Sequence, residues 1–231
     1  MQFQGLATDF DGTLIRTGAV SAVTAAALRR LRTAGAKLIL VTGRELPELR
    51  QVFDQLDIFD LVVVENGALL YFPVEDREEL LSSPPPVRFL TALRDRGVTS
   101  LRVGRSIVAS HASQSIVILD VIRELGLDLR VIFNKDSVMV LPVGVNKATG
   151  LAKALEYLNL PAKQVVAVGD AENDEPLLAY CGLGVAVANA LPSLKARADM
   201  VTRARDAEGV IELIEWMISE KPVPVTVAPR F

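Results

Sequence analysis

The segment Phe3-Gln-Gly-Leu-Ala-Thr-Asp9-Phe-Asp11-Gly-Thr-Leu-Ile15 is the first strong signal in the sequence, because a predicted apolar strand runs directly into two carboxylates. Residues i and i+2 of an extended chain project to the same side, so Asp9 and Asp11 are predicted to converge on one point. Two close carboxylates repel each other unless a cation joins them, and Gly12 lets the chain turn away from that point. An isolated Asp-Gly pair also fits a plain turn, so the segment needs partners elsewhere in the chain.

Apolar strand-like runs alternate with segments of helical period along most of the chain. Further strands are predicted at about 37–41, 60–64, 164–168 and 184–187, and helices at 21–34, 47–56, 146–158, 175–180 and 207–219. This alternation is typical of a parallel sheet covered by helices and predicts a Rossmann-like α/β core.

Residues 73–141 break the alternation. An acidic run at 74–79 and a proline-rich run at 82–86 precede the pattern helix, strand, strand, helix, strand, strand. Turn residues separate the members of each strand pair. The pattern predicts a small α+β cap (αββαββ) inserted into a discontinuous core of residues 1–72 and 142–231. The segment 221–229 is predicted to be extended and peripheral or disordered.

The composition argues against nucleic-acid binding, a membrane span and a zinc site. Lys and Arg number 25 against 28 Asp and Glu, and they are scattered, so nucleic acid is not an expected partner. No apolar run approaches the roughly 18 residues that span a bilayer, which predicts no membrane partner and a cytoplasmic protein. One cysteine, Cys181, and one histidine, His111, leave too few soft ligands for zinc. A hard cation on carboxylate oxygens is therefore expected.

Three more polar segments follow predicted strands or begin a predicted helix. Gly169-Asp170-Ala-Glu-Asn173-Asp174 is predicted to lie at the same sheet edge as Asp9. Thr42-Gly43-Arg44 offers a hydroxyl and backbone N–H groups to phosphate oxygens, and Lys147 offers a positive charge. Singly, these segments also fit a helix cap, a turn and a solvated lysine. Their occurrence together favours a site for a metal and an anion.

This ordered set of motifs resembles the four motifs of the haloacid dehalogenase superfamily of phosphohydrolases. The inserted unit, together with Glu65-Asn66-Gly67-Ala68, resembles the subgroup with a type IIB cap, often called Cof-like. The resemblance implies that Asp9 is the nucleophile of an aspartyl-phosphate intermediate and that Asp11 is the acid and base. It also implies a phosphate-binding set and a Mg²⁺-binding set. The phosphate-binding residues would be Thr42, Gly43, Lys147 and Asn173, and the Mg²⁺ ligands Asp9, Asp11 through its main-chain carbonyl, Asp170 and Asp174.

In this family the cap closes over the site, so the resemblance places substrate selection there. The candidate residues near the phosphate or the leaving group are Arg44, Asn66, Arg102, Arg105, Arg130 and Asn189, with His111 and Lys135 as further cap candidates. The expected substrate is a small phosphorylated metabolite, either a sugar phosphate or a phosphoglycolate-like compound, and the expected assembly is a monomer or homodimer. A phosphomutase or phosphotransferase of the same superfamily and a non-catalytic phosphoacceptor or binding module are the alternatives.

Overall fold

Two β-sheets organise the chain in the computed structural model, which describes residues 3–15 and 18–219. The strands are β1 (Gly5–Thr8), β2 (Lys37–Val41), β3 (Leu61–Val64), β4 (Leu69–Phe72), β5 (Arg77–Leu80), β6 (Arg102–Val103), β7 (Val108–His111), β8 (Leu129–Asn134), β9 (Ser137–Pro142), β10 (Val165–Gly169), β11 (Leu183–Ala186) and β12 (Met200–Val201). The helices are α1 (Ala22–Thr33), α2 (Leu46–Val52), α3 (Val87–Asp95), α4 (Ser115–Glu124), α5 (Lys147–Leu158), α6 (Glu175–Tyr180), α7 (Pro192–Lys195) and α8 (Asp206–Ile218). The predicted extended segment 221–229 lies outside the described residues.

The large sheet has eight strands in the order β12-β11-β10-β1-β2-β3-β4-β5. All neighbours from β12 to β3 run parallel. Strands β1, β3, β10 and β11 are buried along their whole length, as expected for a parallel sheet with helices on its faces. The predicted Rossmann-like α/β core is confirmed.

The end of the acidic run 74–79, which was expected to belong to the cap, forms part of strand β5 in the large sheet of the core. Strand β5 pairs antiparallel with β4 and extends the large sheet, although the predicted boundary at residue 73 assigned it to the insertion. The chain reverses at Asp76, which has a left-handed φ of 46°. Three of the four β5 residues are exposed, because the strand lies at the edge of the sheet. An edge strand does not need the apolar pattern that marks a buried one.

The small sheet has the order β6-β7-β9-β8, and all its pairs are antiparallel. Helices α3 and α4 cover one face, where Phe89 and Ile118 pack with Val138 and Val140. Alternate residues of β9, such as Met139, point to the other face and pack toward Ala68 of the core. This unit has the predicted αββαββ order and is called the cap below.

The carboxyl ends of β1, β2 and β10 meet at one edge of the large sheet. Thr8 is in register with Leu40 and with Val168, so the residues that follow these strands are neighbours. This edge faces the cap and is where open α/β sheets bind ligands. Within the described part of the chain, no helix has both the length and the apolar character needed to cross a membrane.

Candidate active site

Three buried carboxylates meet beyond the ends of β1 and β10. Asp9, Asp170 and Asp174 each offer an oxygen, and these atoms lie within 4.8 Å of one another. The backbone N–H of Asp9 donates to Val168 O at 2.9 Å, which holds the first acidic segment against the strand that leads into the second. The predicted convergence of two distant motifs is therefore present for these three side chains.

Lys147 bridges this acidic group from the first turn of α5. Its Nζ lies 2.5 Å from Asp9 Oδ1 and also donates to Asp174 Oδ1, and its side chain is only 1% exposed. Burial lowers the pKa of Lys147, but the charges of Asp174 and Asp9 outweigh that effect and raise it above its ordinary value. Lys147 is therefore a permanent positive charge rather than the solvated surface lysine that its sequence position also allowed.

The start of α5 is fixed by a capping box and by close backbone packing. The Asn146 side chain accepts from two backbone N–H groups, and the Thr149 hydroxyl accepts from the Asn146 N–H. Gly67 has a φ of 108°, and a side chain there would come within 2.0 Å of Asn146 O. The turn after β3 therefore packs directly on the start of α5, which places Lys147 beneath the acidic group.

Two carboxylate oxygens of the group are buried and have no hydrogen-bond partner among residues 3–15 and 18–219, Asp9 Oδ2 and Asp170 Oδ1. Burial raises the pKa of Asp9 to about 7, a rise that Asp174 increases and Lys147 opposes. Burial also raises the pKa of Asp170 to about 6, although the hydrogen bond from Lys135 opposes that rise. Unpartnered, crowded carboxylate oxygens fit a hard divalent cation, which would favour their ionised forms.

Asp174 differs from its two neighbours because both of its oxygens already have partners. Its Oδ2 accepts from the backbone N–H groups of Asp170 and Ala171 at 2.9 and 3.0 Å, and its Oδ1 accepts from Lys147. Asp9 and Asp170 are therefore the side chains best suited to hold a cation, and Asp174 orients them.

The Asp11 side chain does not join the acidic group, contrary to the expectation of two converging carboxylates. It is 41% exposed and forms a bidentate pair with Arg44, whose Nε and Nη2 each lie 2.7 Å from an Asp11 oxygen. The chain turns at Gly12, which has a φ of 87°, so the strand alternation does not continue through this segment. Asp11 instead lines the cleft below the cap, and its metal role through the main-chain carbonyl stays a prediction.

The residues predicted to bind phosphate form a small polar cluster beside the acidic group. Asn173 Nδ2 donates to Asn66 Oδ1 at 3.0 Å, and both side chains lie near Gly43. Asn66 Nδ2 is buried without an acceptor in the described ranges, so this N–H group can donate to a ligand. The Thr42 hydroxyl accepts from the Arg44 N–H at 3.1 Å, which leaves its own proton available.

A cleft of about 500 Å³ separates these residues from the cap. Sequence reasoning missed Glu48 and Gln51 of α2 and Met139 of β9, which also line it. No pattern marks them, because they reach the cleft only through the position of α2 and of the cap sheet. The lining residues predicted from the sequence are Asp9, Asp11, Gly43, Arg44, Arg102 and Lys135.

The other predicted substrate residues have different surroundings. Asn189 Nδ2 donates to Gly12 O at 2.7 Å, and Asn189 Oδ1 accepts from the Asp206 N–H at 2.7 Å. Asn189 therefore supports the loop after β1. Arg105 pairs with Glu78 at 2.8 Å, outside the cleft lining. Arg130 and His111 are exposed cap residues that do not line the cleft either.

Glu65 is a further site residue whose role the sequence does not reveal. It is buried at a left-handed φ of 50°, and its carboxylate accepts from the backbone N–H groups of Arg105, Ser106 and Ile107 at 2.7 to 3.0 Å. These three donors belong to the turn between β6 and β7. Glu65 therefore fixes the first hairpin of the cap to the core, directly beside Asn66.

Known proteins resemble this chain in sequence and in fold. Residues 6–87 and 107–214 match the haloacid dehalogenase-like hydrolases. The chain is 32% identical to a phosphoglycolate phosphatase of Saccharolobus solfataricus over 79% of this chain and 78% of that protein. It is 28% identical to a phosphoglycolate phosphatase of Archaeoglobus fulgidus over 93% and 96% of the two chains. A solved subclass IIB sugar phosphatase has a TM-score of 0.77 at 19% identity, over 93% of this chain and 98% of that one, and so shares the fold.

The core has a mostly parallel sheet with an inserted cap, a fold shared with the subclass IIB sugar phosphatase, and the family match makes the chain a hydrolase. The chain belongs to the haloacid dehalogenase-like hydrolase family. The resemblance of the sequence motifs to this superfamily is thereby confirmed, as is the prediction of an enzyme of the phosphatase class.

Proposed function

We propose that the protein is a Mg²⁺-dependent phosphomonoester hydrolase that acts on a small phosphorylated metabolite through an aspartyl-phosphate intermediate. The observation that carries the proposal is the buried Asp9 carboxylate, which lines the cleft with Oδ1 held by Lys147 and with Oδ2 unpartnered among the residues that the structure describes. Such a carboxylate is oriented and still able to attack.

The reaction needs Asp9 as nucleophile and Asp11 as the group that moves protons. Asp9 attacks phosphorus, the bond from phosphorus to the leaving oxygen breaks, and Asp11 gives that oxygen its proton. Asp11 then takes a proton from water, whose oxygen attacks phosphorus and releases phosphate and free Asp9. Asp11 lies in the cleft rather than in the acidic group, as a proton donor to the leaving group requires.

A divalent cation held by Asp9 and Asp170 would neutralise the negative charge that the carboxylates and the phosphate bring together. Lys147 contributes a fixed positive charge at the same place. Thr42 and Asn66 supply hydrogen-bond donors for the phosphoryl oxygens, and these groups are held by the turns after β2 and β3. Catalysis of phosphoryl transfer depends mainly on such positioning and charge neutralisation.

Three cations of the cleft lining, Arg44, Arg102 and Lys135, can bind a small anionic substrate. Each is paired with a carboxylate, Asp11, Glu48 and Asp170 respectively, so the substrate must displace these partners. Arg44 is paired with Asp11, so an anionic leaving group would compete for its guanidinium as it enters. Phosphoglycolate and sugar phosphates are the substrate classes that the relatives' names suggest, and we propose them for this chain.

The test is a phosphate-release assay over phosphoglycolate, hexose phosphates and nucleotides, with and without chelation of divalent cations. We expect release in Mg²⁺ without any added acceptor, which a phosphomutase or phosphotransferase would not give. Asp9→Asn should abolish release, while Asp54→Asn, which removes an exposed carboxylate, should leave it unchanged. Full activity after exhaustive chelation, or in Asp9→Asn, would refute the proposal.

A further inference from the structure

The tip of the β8–β9 hairpin carries a positive charge into the buried acidic group. Lys135, in the turn of that hairpin, has a φ of 51°, and its Nζ donates to Asp170 Oδ2 at 2.6 Å. Its backbone N–H donates to Glu172 Oε2 at 3.2 Å, in the same loop of the core. The Lys135 side chain is 46% exposed whereas Asp170 is 1% exposed, so the ammonium reaches the carboxylate from the cleft side. The cap is thus joined to the core through a carboxylate suited to hold a cation.

The position of the ammonium is close to both acidic motifs. A side chain at Gly12 would come within 2.1 Å of Asp170 Oδ2 and within 2.9 Å of Lys135 Nζ. Lys135 therefore lies where the loop after β1 meets the loop after β10. Asp170 Oδ1, the other oxygen of the same carboxylate, is one of the buried atoms that have no partner in the described part of the chain.

The net negative charge of the buried acidic group can be balanced either by a divalent cation or by the ammonium of Lys135. Asp9, Asp170 and Asp174 bring three buried carboxylates against the single buried ammonium of Lys147. The remaining negative charge attracts a divalent cation, and it equally attracts Lys135. An ammonium and a divalent cation on the two oxygens of Asp170 would lie only several ångströms apart and repel each other strongly in this buried setting.

We propose that Lys135 is a tethered competitor of the divalent cation, which holds the cap hairpin on Asp170 until cation binding releases it. The inference rests on the proposed cation site. Because coupling between two binding events is reciprocal, the cation loosens the hairpin tip and the tip weakens cation binding to the same degree. The released ammonium remains in the cleft with its neighbours Asn134 and Asp136, where it can bind an anionic substrate.

The first test is the affinity for Mg²⁺, measured by calorimetry on the full chain. Lys135→Met keeps the length of the side chain and removes its charge, so it should bind Mg²⁺ about 5- to 150-fold more tightly than the parent, the range typical of coupled sites. Lys163→Met makes the same charge change at an exposed position before β10 and should leave the affinity unchanged.

If Lys135→Met binds Mg²⁺ as tightly as the parent or more weakly, Lys135 does not compete with the cation, and the proposal is wrong. If Mg²⁺ binds none of the three proteins, the cation site of the proposed function fails, and the inference fails with it.

The second test follows the hairpin itself by hydrogen exchange and mass spectrometry of peptides that cover residues 132–138. In the parent protein, Mg²⁺ should speed exchange at the tip, because it breaks the contact of Lys135 with Asp170. In Lys135→Met the tip should exchange fast in both conditions, while peptides of α3 and α4 serve as internal references for an intact cap. If Mg²⁺ leaves exchange at the parent hairpin unchanged or slows it, the cation does not release the hairpin from Asp170, and the proposal is wrong.

Discussion

Replacing Lys147 with methionine removes the buried ammonium that bridges Asp9 and Asp174, while it keeps most of the side-chain volume. The Lys147 side chain is 1% exposed, and the side chains of Asp9 and Asp174 are buried as well. In the variant, both carboxylates therefore remain buried but lack the ammonium. Removal of one partner of a buried ion pair typically costs about 3 to 5 kcal/mol, because the remaining charge is left uncompensated. We expect a loss of that size in the free energy of unfolding, together with loss of phosphatase activity.

Urea unfolding measures this loss as a lower midpoint at an unchanged slope. Lys153→Met is the matched control, because Lys153 lies on the same helix α5 but pairs with Glu156 at the surface. Exposed pairs contribute only about 0 to 1 kcal/mol, so this variant should remain close to the parent in stability and in activity. If the two variants lose the same small amount of stability, the account of Lys147 as a buried bridging charge is wrong.

Three other changes test separate parts of the site. Arg44→Gln removes the guanidinium that pairs with Asp11 and should lower kcat/KM about 10- to 150-fold, since hydrogen bonds to charged groups contribute about 1.5 to 3 kcal/mol. Unchanged steady-state kinetics would contradict this role. Glu65→Gln places an amide against three backbone donors of the cap and should cost about 1 to 3 kcal/mol in urea unfolding, with faster hydrogen exchange at residues 104–107. Gly12→Ala should abolish phosphate release, because the new methyl group meets Asp170 Oδ2 at 2.1 Å. Gly18→Ala should retain it, because Gly18 has a similar φ and a side chain there meets nothing within 4 Å among the described residues.

The positions of Asp9, Thr42 and Asp170 could be predicted because each follows a strand of a parallel sheet. Strands of that kind are buried on both faces, so they are marked by apolar runs, and their carboxyl ends share one edge. The bridge from Lys147 to Asp9 spans 138 positions of sequence. Only the joint occurrence of the polar segments and the resemblance to a known family indicated that the two residues belong to one site.

The cap residues were harder to predict because their directions depend on the register of short strands and on how the cap sits on the core. A shift of one residue in a strand turns every side chain to the opposite face. Arg105 and Arg130 therefore had the right charge but lie outside the cleft lining, while Arg102 and Lys135 line it. The contact of Lys135 with Asp170 could not be read from the sequence, because Asp170 belongs to the core and Lys135 reaches it from the tip of a cap hairpin.

Transfer of the phosphoryl group to Asp9 can be tested by trapping the intermediate. Asp11→Asn should still allow attack on an aryl phosphate, whose good leaving group needs little protonation, but should slow the hydrolysis that follows. Acid quenching and peptide mass spectrometry should then find the phosphoryl group on Asp9, formed in step with a burst of aryl alcohol. A burst of aryl alcohol with no phosphoryl group on Asp9, or with the group on another residue, would contradict the account.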